Sequence, residues 1–175
     1  MTSKQVKEIY ENNEIDKLYK DCQKYFDIID SWAERFVGGD LLTEYDLKYA
    51  QQQMNGAQTK LNPIAGALES LVIEYENNYI LKEEEKFPSL RVQDQNHCKA
   101  VGRSKVSDLR RYASDFTRYV FSAQNAVVTV QSLLKRQTVE KANKEIDYTG
   151  ETPQAHINNP PPNGYMYGGT KPWDA

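Results

Sequence analysis

The stretch from Val106 to Gln137, VSDLRRYASDFTRYVFSAQNAVVTVQSLLKRQ, keeps a seven-residue repeat almost without error. Apolar residues recur there in alternating steps of three and four: Val106, Leu109, Ala113, Phe116, Val120, Ala123, Val127, Val130 and Leu134. Such spacing puts these side chains on one face of an α-helix, where they can bury against a partner. The stretch therefore predicts a long helix with a buried seam.

A second stretch has the same repeat and runs from Leu47 to polar Asn78. Its seam consists of Leu47, Ala50, Met54, Ala57, Leu61, Ile64, Leu68, Leu71 and Tyr75. Two long seams separated by a short break predict an antiparallel helical hairpin with coiled-coil packing. The sequence leaves open whether the seams close within one chain or between chains.

An earlier stretch supplies a third helix with the same three-four spacing, through Leu18, Cys22, Tyr25, Ile29, Trp32 and Phe36. The predicted fold class is all-α: an elongated three-helix bundle over residues 1–147, with helices at about 4–36, 44–86 and 105–144. The polar residues 11–14, ENNE, mark either a break in the first helix or a fresh start.

Local signals place the helix ends. Gly38 and Gly39 end the first helix, and Thr43 caps the second with Asp46 three residues later. Pro63 predicts a kink in the second helix, although a stop at Asn62 is the alternative.

Between the second and third helices, residues 89–103 read as a connector, with at most a helical turn near 94–101. Ser104 is the predicted cap of the third helix.

Composition limits the class of protein. The chain has 175 residues and two isolated cysteines, Cys22 and Cys98. It has no apolar run long enough for a membrane span and no signal-peptide pattern at its N-terminus. These features predict a location in a host cytoplasm or a virion, neither secreted nor in a membrane.

Catalytic signatures are missing from the sequence: it holds no phosphate-binding loop, dinucleotide fingerprint, nucleophile elbow or zinc-protease motif. His97 and Cys98 lie near Asp94, but one adjacent pair without a second pair does not make a metal site. We therefore expect no enzymatic activity, no metal and no cofactor.

Charge is unevenly distributed along the chain. Residues 1–90 carry ten basic and seventeen acidic side chains, whereas residues 91–144 carry eleven basic and four acidic ones. The acidic run Glu83–Glu85 ends the second helix, and the hairpin brings it near the basic start of the third. We expect this attraction to help set the helix register.

The same basic segment has an alternative interpretation. Arginines beside tyrosines could bind single-stranded nucleic acid, through guanidinium–phosphate contacts and stacking of bases on rings. The candidate residues are Arg103, Lys105, Arg110, Arg111, Tyr112, Arg118 and Tyr119.

The last residues, 148–175, contain five of the seven prolines, including Pro160–Pro162. This composition predicts an extended tail rather than a helix. Tyr165, Tyr167 and Trp173 are unusual in a spacer, and they favour a docking arm whose rings fill pockets on a partner.

The pairing of a long helix over 42–87 with a basic one over 105–137 resembles the small helical accessory proteins of tailed bacteriophages. Within that class it is faintly similar to UvsY-like recombination mediators. The resemblance implies a helical, self-assembling protein, and for the mediators it implies single-stranded DNA binding.

These observations predict a non-enzymatic assembly protein, a structural component of a phage particle. It would bind other protein chains, including copies of itself, through helical faces and the aromatic tail. The alternatives are a single-stranded DNA-binding recombination mediator of a phage and a small acidic inhibitor of a host enzyme.

Overall fold

Five α-helices make up the part of the chain that the structure describes. A computed structural model describes residues 1–39 and 41–149, with side chains as far as Lys144. The helices are α1 (Ser3–Glu11), α2 (Ile15–Val37), α3 (Glu44–Glu84), α4 (Val92–Lys105) and α5 (Ser107–Thr149). No strand occurs within these residues, so the all-α prediction is confirmed. The chain divides into two compact units, Met1–Lys135 and Arg136–Ala175, and the packing below is that of the first.

The central helix, α3, begins where the sequence predicts. Thr43 is its N-cap: the backbone N–H of Asp46 donates to Thr43 Oγ1 at 3.1 Å, and the N–H of Thr43 donates to the Asp46 carboxylate at 3.0 Å. Pro63 lies inside α3, which continues to Glu84 without a stop at Asn62. Leu61 and Ile64, on either side of Pro63, are buried. Burial of each such side chain contributes about 1.5–3 kcal/mol, so the seam offsets the ~3 kcal/mol cost of an interior proline.

Both predicted seams are buried almost throughout. In α3 the buried seam runs from Leu47 to Leu71, and from Val106 to Val130 the second seam is buried except at Val127, which is partly buried. Thr117 Oγ1 donates to Glu69 Oε1 at 2.7 Å, and Arg110 pairs with Glu76, seven residues away on each helix. Because residue numbers rise on α5 as they fall on α3, the two helices are antiparallel.

The stretch 4–36, predicted as one helix, forms two. Asn12–Glu14 separate α1 from α2, and Asn13 has a positive φ of 58°, which asparagine tolerates better than most residues. The interruption therefore falls within the ENNE segment. Both helices pack on α3: Lys7 Nζ is 2.5 Å from Glu74 Oε1, and Trp32 Nε1 donates to Gln53 Oε1 at 2.7 Å.

The predicted connector 89–103 is largely helical, which corrects the sequence interpretation. α4 begins after Arg91, whose backbone N–H donates to Asp94 Oδ2 at 3.0 Å. Cys98 and Gly102 are buried, so tertiary packing supports a helix that has only a short apolar stripe. Ser104 lies within α4 and is no cap for the next helix, since Val106 ends α4 and α5 begins at Ser107.

At the other end, α5 continues to Thr149, beyond the predicted limit at 144 and two residues into the stretch predicted as an extended tail. Residues 150–175 lie outside the described part of the chain.

Gly102 marks the closest approach of α4 to α3. A Cβ atom at this position would lie 2.6 Å from Ile80 Cγ1 and 3.1 Å from the backbone oxygen of Glu76. Only glycine allows the helices to come so close without a shift of α4.

Replacement of Gly102 by alanine should therefore destabilise the protein, because the clash outweighs the gain in helix propensity. Gly56→Ala is the matched control: a Cβ there meets nothing within 4 Å, so it should stabilise α3 by about 0.5–1 kcal/mol. Urea unfolding of both variants measures the difference. Equal stabilisation by the two alanines would contradict the close α3–α4 contact.

Candidate partner-binding surface

Tyr112 and Tyr119, predicted to flank the α5 seam, pack against α2. Tyr112 is buried; its hydroxyl donates to Asp16, and its ring lies 5.5 Å from that of Tyr19. Tyr119 stacks on Phe26, with ring centroids 4.2 Å apart, and its hydroxyl donates to Asp30 Oδ2 at 3.0 Å. Both rings are therefore occupied by contacts within the fold.

A third tyrosine repeats the pattern on α3. Tyr75 donates its hydroxyl to Glu11 Oε1 at 2.8 Å, and its ring meets that of Tyr10 edge-on at 5.1 Å. Three tyrosines of α3 and α5 thus donate to three carboxylates of α1 and α2.

These hydrogen bonds hold the tyrosines in their neutral form. Burial, and then the hydrogen bond to Glu11, raise the pKa of Tyr75 to about 12. The hydrogen bond to Asp16, and then burial, raise the pKa of Tyr112. Burial and then Asp30 raise the pKa of Tyr119. A phenolate at any of the three positions would face a carboxylate, so deprotonation opposes the packing of these helices.

The arginines of the predicted nucleic-acid surface also have partners. The guanidinium groups of Arg111 and Arg118 lie over the rings of Tyr112 and Tyr119, at 5.0 and 5.1 Å from the centroids. Arg118 Nη2 is 3.7 Å from Asp115 Oδ1. The arginine–tyrosine pairs therefore lie along α5 as predicted, but the rings are not open for bases to stack on.

The remaining basic candidates lie near α3. Arg103 and Arg110 both pair with Glu76, and Lys105 is exposed at the end of α4. The acidic partner at this junction is therefore Glu76 rather than the run Glu83–Glu85. The structure therefore separates the candidates: four lie on the side of α5 that faces α2, Arg103 and Arg110 lie beside Glu76, and Lys105 is exposed at the end of α4.

Glu83 makes different contacts from those predicted. Its carboxylate lies 2.5 Å from Lys86 Nζ and 3.7 Å from Nε2 of His97. The hydrogen bond from Lys86 is the main cause of the lowered pKa of Glu83. The His97–Glu83 contact joins α4 to the end of α3.

His97 and Cys98 are neighbours on α4, outside any cluster of metal-ligating side chains among the described residues. The thiol of Cys98 is buried, and the part of the chain that the structure describes contains no cluster of three or more histidine, cysteine, aspartate or glutamate side chains suited to a metal ion. Nor does any helix in this part have the length and apolar character needed to cross a membrane.

An apolar groove between α3 and α5 is the surface feature that the sequence did not reveal. It has a volume of about 420 Å³ and is lined by Glu69, Val72, Ile73, Arg110, Ala113, Ser114 and Thr117. Ile73 in the groove and Phe121 further along α5 are 61% and 58% exposed. The signal in the sequence is apolar residues just outside the seam positions, but it becomes readable only when the pairing of α3 with α5 is known.

A second apolar patch lies near the turn between α2 and α3. Val37, Leu41 and Tyr45 are largely exposed, and the ring of Tyr45 is stacked parallel to that of Tyr49 at 6.3 Å. Tyr49 in turn contacts Trp32. In Met1–Lys135, this patch brings several exposed apolar side chains together, whereas the groove has one, Ile73, with Phe121 further along α5.

The docking residues predicted in the tail, Tyr165, Tyr167 and Trp173, lie outside the described residues. They remain a prediction from the sequence.

Comparison of the chain with protein-family models, curated proteins and solved structures finds no match in any of the three.

The tyrosine–carboxylate bonds predict a loss of stability at alkaline pH. A folded-state pKa above the unfolded value of 10.0 means that the stabilisation is present below pH 10.0 and is lost as the pH rises towards about 12 for Tyr75. Tyr75→Phe/Tyr112→Phe/Tyr119→Phe should be less stable at pH 8, by about 1 kcal/mol per bond. The stability of this triple variant should also fall less between pH 9 and 11 than that of the original chain.

Urea unfolding at pH 8, 9 and 11 tests this, with Tyr45→Phe as the control for an exposed tyrosine. A triple variant that loses as much stability as the original chain over this range would contradict the role of these bonds.

Proposed function

We propose that this chain is a non-enzymatic assembly protein that binds other protein chains, including copies of itself, as a structural component of a phage particle. The observation that supports this best is the distribution of side chains on α5. Its Tyr112 and Tyr119 contact α2 and its Arg110 contacts α3, whereas Phe121 of α5 and Ile73 of α3 remain exposed along the α3–α5 groove. Exposed, clustered apolar side chains are typical of protein-binding surfaces.

We infer that Met1–Lys135 forms a three-helix bundle in which two of the long helices are interrupted. The first is α1 with α2, the second is α3, and the third is α4 with α5, with seams packed as in a coiled coil. The antiparallel contacts of α3 with α1, α2 and α5 support this. Such a bundle fills its core with close-packed side chains and binds partners through its outer faces.

The chemistry of the groove also favours binding over catalysis. Ser114 and Thr117 are its hydroxyl-bearing residues, and the described residues that line it include no histidine to act as the base of an activated nucleophile. His97 is on α4, where it contacts Glu83. The groove is thus suited to accept a side chain of another protein.

The phage-particle part of the proposal is supported by the resemblance of residues 42–144 to phage accessory proteins. It is tested by purifying particles, on a density gradient, from a culture of the phage that encodes the chain. The chain should sediment with the particles in a fixed ratio to their major protein. Its recovery only in the soluble fraction would contradict this part.

The tail provides a second test of assembly. Deletion of residues 150–175 should abolish incorporation into particles while helicity, measured by circular dichroism, is unchanged. Tyr165→Ala/Tyr167→Ala/Trp173→Ala is the matched variant of full length, and it should fail in the same way if the rings dock on a partner. Normal incorporation of the triple variant would contradict a docking role for the rings.

The alternative function, a single-stranded DNA-binding mediator, is favoured by one observation. The side chains of Arg103 and Arg118 are 69% and 65% exposed, so their guanidinium groups could contact phosphates. The assembly proposal predicts no measurable binding of a labelled oligonucleotide at low salt. Binding that falls steeply with salt, and that Arg111→Ala/Arg118→Ala weakens, would favour the mediator instead.

A further inference from the structure

The α3–α5 groove has a defined register. Thr117 of α5 is level with Glu69 of α3, and Arg110 is level with Glu76. Because the helices are antiparallel with the same rise per residue, this register places Ile73 level with Ala113 and Phe121 level with Ala65. Each position along the groove thus pairs one α3 residue with one α5 residue.

Large and small side chains alternate across the groove in this register. Ile73 of α3 stands across from Ala113 and Ser114 of α5, which line the groove with it. Phe121 of α5 stands across from Ala65 and Gly66 of α3, and a Cβ atom on Gly66 would meet nothing within 4 Å. The exposed ridge on each helix is therefore matched by a gap on the other.

The charged residues along the groove are complementary in the same register. α3 contributes Glu69 and Glu76, whereas α5 contributes Arg110 and the hydroxyl of Thr117. One helix thus presents acceptors at the two levels where the other presents donors.

We propose that two copies of the chain pack through this groove, about a two-fold axis that runs along it, parallel to α3 and α5. This inference rests on the proposed function and names one of its partners. Rotation about this axis brings α3 of each copy opposite α5 of the other. Each residue keeps its position along the helix axis. Ile73 of each copy then enters the groove beside Ala113 and Ser114 of the other, and Phe121 covers Gly66.

The same axis pairs charges favourably between the copies, since Arg110 of each copy meets Glu76 of the other. A two-fold axis across the helices would reverse the levels and, centred at Glu69, midway between the levels of Ile73 and Phe121, place Glu69 against Glu69. Like charges directly opposite each other are destabilising, so charge favours the parallel arrangement. The contact is isologous: each copy contributes the same residues.

Filling the gap at Gly66 is the first test. Gly66→Phe introduces a ring where Phe121 of the second copy would lie, and it should raise the dimer dissociation constant at least about 100-fold in sedimentation equilibrium. Gly56→Phe is the matched control, because Gly56 is on the same helix with equally open space, and it should leave the dimer intact. Circular dichroism should show both variants as helical as the original chain.

Charge exchange between copies is the second test. Arg110→Glu and Glu76→Arg should each weaken the dimer, since like charges then meet across the axis. A mixture of the two variants should form a heterodimer. The Arg110→Glu copy is acidic at positions 110 and 76 and the Glu76→Arg copy is basic at both, so each contact between these copies is again opposite in sign.

Several outcomes would overturn the proposal. They are a monomer at about 100 µM, a dimer that survives Gly66→Phe, and a mixture of charge variants that associates no better than either variant alone. A monomeric chain that is still found in particles would refute this dimer and leave the proposed role as a particle component standing. A dimer that is absent from particles would refute the proposed role in the particle and leave the dimer standing.

Discussion

The antiparallel pairing of α3 with α5 determines which faces of these two long helices are buried and which remain exposed. A seven-residue apolar repeat buries equally well after a shift of seven residues, so the seams alone leave the register open. The Thr117–Glu69 hydrogen bond and the Arg110–Glu76 pair are made in one register only. They lie seven residues apart on each helix, and a shift by one repeat would set Arg110 against Glu69 and leave Glu76 without Arg110. Exposed pairs add little stability, but they are sufficient to choose among registers of similar burial.

In this register, the two sides of α5 make different contacts. On the side of α2, Tyr112 and Tyr119 cover the seam and donate to Asp16 and Asp30. On the side of α3, small residues such as Ala113 leave a groove. The aromatic surface with the composition of a nucleic-acid site therefore serves the fold, and the exposed apolar surface lies on the opposite flank of the same helix. This division is what directs the functional proposal towards protein partners.

Sequence reasoning succeeded where a local pattern is sufficient. The seam of α3 and the Thr43–Asp46 cap follow from spacing and from residues three apart. It failed for α4, because burial of Cys98 and the close approach at Gly102 depend on α3 rather than on the segment itself. It could not assign the acids of Tyr112 and Tyr119, which lie 96 and 89 residues away along the chain. The groove could not be predicted for the same reason, because Ile73 and Ser114 are recognised as one surface only when the register of α3 and α5 is known.

We propose that the chain assembles through the α3–α5 groove, beginning with a second copy. Distances between single nitroxide labels on Ser107→Cys and Gln131→Cys, measured by pulsed electron paramagnetic resonance, test it directly. Both sites are exposed, whereas Cys22 and Cys98 are buried, and burial raises the pKa of the Cys22 thiol to about 11, so neither should compete for the label. The parallel dimer predicts one short distance of about 20 Å between copies at both positions. Distances above about 30 Å at both ends, as the reversed axis requires, or no coupling between copies at all, would contradict it.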